Sequence, residues 1–189
     1  MRWEQLFAEL DAAFEAEEAA EENAVAGSRA RAETGAVRWV DRVRGALDHP
    51  VRVVCRGAGV VEGRLRDVGV DWLLLTDDQG RDLLVSTGAV RVVTGPGGAT
   101  APGREEGPVA RSWDLRQAVR GLARDRALVR CLLDDGTVLT GTVDRVGADF
   151  LELAEHHLDQ PRRRGAVRSV QLVVLEALAV VVSVVPGSD

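Results

Sequence analysis

The stretch Val143-Asp144-Arg145-Val146-Gly147-Ala148-Asp149-Phe150-Leu151-Glu152-Leu153 has a twin, Leu65-Arg66-Asp67-Val68-Gly69-Val70-Asp71-Trp72-Leu73-Leu74-Leu75, 78 residues earlier in the chain. Each copy reads as a strand, a bend at Val-Gly, a tight turn at Asp, and a second apolar strand. A bend of this kind lets a short antiparallel sheet curl. Leu73, Leu75, Leu151 and Leu153 alternate with positions such as Glu152, so they are expected inside.

The match extends in both directions. Residues 51–75 and 129–153 share nine identities in 25 positions, with Gly63 on Gly141 and Gly69 on Gly147, which marks an internal duplication. Further on, Ala89-Val90 falls on Ala177-Leu178 at an offset of 88, so the second copy carries ten extra residues around 156–165. Each copy reads as a helix and five strands. In the first, Val51-Arg52-Val53-Val54-Cys55 precedes a turn at Gly57-Ala58-Gly59, Asp77-Asp78-Gln79-Gly80 forms a hairpin turn, and Ser86-Thr87-Gly88 precedes the last strand. In the second, Ser112 is the expected N-cap of a helix whose face is Leu115, Ala118, Val119 and Leu122. The run from Val167 to Val185 is too broken by Arg168, Gln171 and Glu176 for a membrane span and reads as two buried strands.

These spacings divide the chain into an acidic N-terminal helix (1–27), a helix with the first five-stranded unit (28–94), a Gly/Pro-rich linker (95–111), and a helix with the second unit (112–185). In the second helix, taken as about 28–47 and ended by His49-Pro50, arginines lie off the apolar face. In the first, Trp3, Leu6, Phe7, Leu10 and Phe14 make one apolar stripe of about two heptads. It suits docking, either on another chain or back on its own.

Charge separates the segments. The 189 residues carry a net −6, yet residues 1–27 hold one arginine against eight carboxylates, or −7, leaving +1 for the rest. No overall basic footprint for nucleic acid results. All 24 basic residues are Arg, with no Lys and no Tyr, which fits the codon bias of a high-GC genome and weakens any single Arg as a chosen phosphate fork.

The residues carrying Leu133-Asp134-Asp135-Gly136-Thr137-Val138-Leu139-Thr140-Gly141-Thr142-Val143, and more weakly Cys55 through Leu65, resemble the Sm-like (SH3-type small barrel) fold. The chain as a whole resembles an uncharacterised family of high-GC bacterial proteins. The resemblance implies a mainly β protein with helices, in which two Sm-like barrels stand in tandem, each after a helix. It transfers no RNA pocket. Sm-like proteins hold a base with Asp and Asn after the second strand and a cation after the fourth. Here the first loop is Val146-Gly147-Ala148-Asp149-Phe150, and the last offers Ser86-Thr87-Gly88 or Leu175-Glu176-Ala177.

Chemistry is sparse. There is no nucleophile elbow, phosphate loop or dinucleotide fingerprint, so the expectation is a non-enzyme without cofactor. Cys55 and Cys131 have no partner at metal spacing and read as buried reduced thiols, in keeping with a cytoplasmic protein without a leader segment. Adjacent His156 and His157 point to opposite sides of an extended loop and do not make a metal site. Asp71 and Asp149 recur at the same turn and read as turn formers. The densest basic cluster is Arg162, Arg163, Arg164 and Arg168, on the inserted loop, where phosphates would reach it.

Two function classes stay open. One is a nucleic-acid-associated (transcriptional or post-transcriptional) regulator that binds RNA or DNA through the arginine loop and the second helix. The other is a protein-interaction or assembly module that works through barrel edges and the stripe of Trp3, Phe7, Leu10 and Phe14, with a homodimer as the expected partner state and no membrane involved.

Overall fold

The computed structural model describes residues 34–100, 113–155 and 169–184. The chain divides into two compact units, Met1–Arg38 and Trp39–Asp189. Of the first, the described part is a helical turn at residues 34–36, closed by a bond from Val37 N–H to the Thr34 carbonyl. The acidic N-terminal helix expected over residues 1–27 lies outside the described residues.

The second unit begins with helix α1 (Trp39–Arg44), which buries Val40 and Val43. Five strands follow: β1 (Pro50–Cys55), β2 (Gly59–Val68), β3 (Trp72–Thr76), β4 (Asp82–Ser86) and β5 (Val90–Thr94), with a short 3-10 turn at Thr87–Ala89. After the linker, the order recurs as α2 (Leu115–Arg124), β6 (Leu128–Leu133), β7 (Val138–Val146), β8 (Phe150–Glu155), β9 (Ser169–Val174), a 3-10 turn at Leu175–Ala177, and β10 (Leu178–Ser183). The ten-residue insertion therefore falls between β8 and β9, as the shift in offset implies.

Helix α2 starts at Asp114, two residues beyond the expected Ser112. Asp114 accepts a bond from Gln117 N–H at 2.8 Å, and Gln117 Oε1 accepts one from Asp114 N–H at 2.9 Å, a reciprocal cap. Both helices are followed by a non-glycine residue in the left-handed region, Asp48 (φ 62°) and Arg126 (φ 51°), 78 residues apart. Proline at position 50 is thus not what turns the chain; the turn is made two residues earlier.

The strands join into one antiparallel sheet in the order β5-β1-β2-β3-β4-β10-β6-β7-β8-β9, and that sheet is not closed. Two separate barrels were expected; instead β4 pairs with β10, and the repeats share one sheet. Each half keeps the same internal order, fifth strand beside first, and wraps its own core. Leu73 and Leu75 are fully buried in the first core, and Leu151 and Leu153 in the second, as the alternation requires.

The bend also moves. The β2–β3 register slips between Leu65 and Asp67, and the β7–β8 register slips between Val143 and Arg145, so a bulge sits at the same place in each repeat. Gly69 and Gly147 lie just past the strand ends. Their N–H groups bond the carbonyls of Trp72 and Phe150 at 2.9 and 2.8 Å. A Cβ at either glycine would overlap the ring of that same aromatic residue. The glycines are there to seat a ring, while the bulge bends the strand.

Candidate functional site: the ends of the sheet and the junction between them

The junction at the middle of the sheet shows how one repeat meets the next. Leu83, Leu84 and Val85 of β4 pair with Val182, Val181 and Val180 of β10. Asp82 N–H donates to Ser183 Oγ at 3.0 Å, and that hydroxyl donates back to the Asp82 carbonyl at 3.3 Å. Alternation along both strands sends side chains into both cores. Leu83 and Val85, with Ala179 and Val180, face the first core; Leu84, with Leu178 and Val181, faces the second. One cross-strand row, Asp67–Leu74–Leu84–Val181–Cys131, runs straight across the junction.

Helix α2 lies over that row. Trp72 donates its indole N–H to the Trp113 carbonyl at 2.9 Å. The Asp71 carboxylate accepts from Leu115 N–H at 2.6 Å, so this turn residue of the first repeat holds the first helical N–H of the second. Asp71 and Asp149 read from the sequence as formers of their own turns; the Asp71 carboxylate instead reaches out of its turn to Leu115, and among the described residues no backbone N–H donates to the Asp149 carboxylate. A cavity of about 630 Å³ remains between α2 and the sheet, walled by Trp72, Leu74, Leu84, Trp113, Leu122 and Val181. At the opposite loops, Arg56 pairs with Asp134 at 2.5 Å.

At the two ends of the sheet, nothing described continues this pattern. On β9 the outward residues Val170, Leu172 and Val174 are 59%, 63% and 49% exposed. The expectation that residues 167–185 form two buried strands thus holds for β10 but not for β9, where only Val173 is buried. On β5, at the other end, Val92 is 53% exposed. Beside it, a groove of about 420 Å³ is lined by Trp39, Arg42 and Val43 of α1 and by Val90, Arg91 and Val93. Unpaired edges with apolar side chains are uncommon in proteins that stay monomeric.

The remaining sequence candidates fare differently. Arg162, Arg163, Arg164, Arg168, His156 and His157 lie outside the described residues, and so do Trp3, Phe7, Leu10 and Phe14. Two arginines of the basic helix are engaged within the chain: Arg44 bonds Asp41 at 2.6 Å, and Arg42 bonds the Gly98 carbonyl at 2.5 Å and Thr100 Oγ1 at 3.2 Å. Cys55 and Cys131 are free and buried in different cores. Burial pushes the Cys131 thiol up to about 12; it raises Cys55 to about 11 against the opposing pull of the Arg91 charge. Thiols held protonated in this way are poor nucleophiles and poor metal ligands. Among the described residues no group of three His, Cys, Asp or Glu could hold a metal ion, and no helix is long and apolar enough to cross a membrane.

Sequence reasoning missed the exposed face of β9. The signal was present in the repeat itself: with the 88-residue offset, Asp82, Leu84 and Ser86 become Val170, Leu172 and Val174, so the copy at the end of the sheet is the more apolar one. No family model, no curated protein and no solved structure matches the chain.

Proposed function

We propose that the protein is a non-catalytic protein-interaction and assembly module, built from two Sm-like units, whose working surfaces are the edge strands β5 and β9. The observation that carries this reading is the apolar triplet Val170, Leu172 and Val174 on an edge that no described strand pairs. Such an edge offers main-chain N–H and C=O groups to an added strand, and the triplet offers apolar contacts for its side chains. The two buried thiols suit a cytoplasmic setting, which belongs to the same proposal.

Affinity purification from the native cell, with and without nuclease, tests it on the full chain. Val170→Lys combined with Leu172→Lys places charges on the edge without touching either core. The expected result is a set of partners that survives nuclease and is lost in the double variant. Partners that are unaffected by the edge variant but removed by nuclease would transfer support to the nucleic-acid reading, with Arg162, Arg163, Arg164 and Arg168 as its residues.

A further inference from the structure

We propose that the cavity under α2 binds a small organic cation, an apolar body that carries one amine, across the junction between the two repeats. This goes beyond the reading of the edges and does not depend on it.

The argument starts from the floor of the cavity. Leu74, Leu84 and Val181 stand opposite one another on β3, β4 and β10. Two residues along, the same face carries Thr76, Asp82 and Ser183. The floor therefore passes from an apolar row to a polar one. Asp67, at the bulge of β2, lies beside Leu74 and ends the apolar row on that side.

The walls are fixed before any ligand arrives. Trp72 donates its indole N–H to the Trp113 carbonyl at 2.9 Å, and its ring fills the space that a Cβ on Gly69 would need. Helix α2 supplies Ala118 and Leu122 from above. A preformed wall lowers the cost of ordering the site on binding. The volume of about 630 Å³ is that of a small-molecule site.

Charge decides the class of ligand. The lining holds two carboxylates and no arginine, in a chain with 24 arginines. Among the described residues, Asp67 accepts only from Val68 N–H at 2.8 Å and Asp82 only from Thr76 Oγ1 at 3.0 Å, and no arginine pairs with either. Arg66 donates to the same Thr76 hydroxyl at 3.3 Å, but its ion pair is with Asp48 at 3.4 Å. Each carboxylate thus keeps acceptor capacity for an ammonium group. The two tryptophans favour the same charge, because indole is the strongest aromatic partner of a cation.

The second repeat shows that the fold does not impose these residues. By the repeat offsets Asp67 becomes Arg145 and Asp82 becomes Val170, yet the bulge and the strand form there as well. The carboxylates are a property of this cavity, not of the unit.

The test is isothermal titration calorimetry of the full-length chain with probes that share one body: 4-phenylbutylamine, 4-phenylbutanol and 4-phenylbutyrate. The amine is expected to bind about tenfold more tightly than the alcohol, and the butyrate most weakly. Asp67→Asn combined with Asp82→Asn keeps the shape and removes the charge. It should bring the amine down to the affinity of the alcohol and leave the alcohol unchanged. Ala118→Trp places a ring in the cavity and should abolish binding of every probe. Val170→Lys with Leu172→Lys, at the edge of the sheet, should leave amine binding as it is, so the site and the edges are tested separately. Melting temperatures show which variants fold. The preference for the amine is read on the wild-type chain and stands or falls there even where a variant does not fold. Equal affinity for amine and butyrate, or an amine preference that persists in the double Asn variant, overturns the proposal. No heat with the amine at millimolar concentration overturns it too, and is the result expected of a cavity closed by the chain's own residues.

Discussion

Strands β4 and β9 hold the same place in the two repeats and meet opposite surroundings. Leu84 on β4 is 7% exposed, because β10 pairs alongside and α2 lies above; Leu172, its equivalent on β9, is 63% exposed. Neither strand dictates this by its own residues. Burial at this position is conferred by the unit beside it, and among the described residues no unit stands beside β9. The comparison also separates what duplication preserved from what it released. The aromatic-seating glycines, the bulge and the left-handed residue after each helix stay in register, because each serves its own unit. Contacts that serve the junction diverge: Leu74 becomes Glu152, and the Asp71 clamp on Leu115 has no described counterpart at Asp149.

The largest expected contrast lies at these paired leucines. Leu84→Ala removes a side chain buried in the second core and is expected to cost about 2–5 kcal/mol, whereas Leu172→Ala in dilute protein should stay within about 0.5 kcal/mol. Urea unfolding of both variants measures this. Similar costs would erase the distinction between covered and bare strands.

The glycine pair sharpens the comparison from the other side. Gly69→Val and Gly147→Val each force a side chain into a ring, Trp72 or Phe150, and should each destabilise by about 1–3 kcal/mol. Here the two repeats are expected to behave alike, because the clash is internal to each unit. A thermal melt that moves for one and not the other would show that the turns are not equivalent.

A smaller asymmetry is expected at the turn carboxylates. Asp71→Ala removes the acceptor for Leu115 N–H at the start of α2 and should cost about 1 kcal/mol, the range of a lost helix cap. Asp149→Ala should cost less in the dilute chain. Equal losses would mean that Asp149 holds a partner of its own.

The smallest effect concerns pH. The folded Cys55 and Cys131 thiols are raised to about 11 and 12 from an ordinary 9.0. Their contribution to stability is full below the unfolded value and is lost as pH rises through the folded values. Unfolding midpoints should therefore begin to fall above pH 9.0, and Cys131→Ala should lessen that fall. Alkylation of the folded chain near neutral pH should be slow at both sites. Rapid modification of Cys131 would contradict its burial.

The sequence alone carried the strands, their order within each repeat, the insertion and the leucines of both cores, because period-two alternation and a conserved offset are local signals. The placement of Asp114 rather than Ser112 at the helix start, and of the bulge before rather than at the glycine, depends on hydrogen-bond geometry that residue types do not specify. The shared sheet was hidden for a different reason. Pairing of β4 with β10 joins residues about a hundred positions apart, and an apolar run reads the same whether it is covered by its own barrel or by a neighbour. The same blindness hid the bare face of β9, since Val170, Leu172 and Val174 look like core residues until the sheet is seen to end there.

Hydrogen–deuterium exchange on the chain alone and on the chain with its affinity-purified partners tests the central claim most directly, that the edge strands β5 and β9 are the working surfaces. Peptides spanning β4 and β10 should be protected in both states. Those spanning β9 and β5 should exchange faster in the chain alone and gain protection when partners are bound. Edges that stay equally open with partners bound would contradict the account.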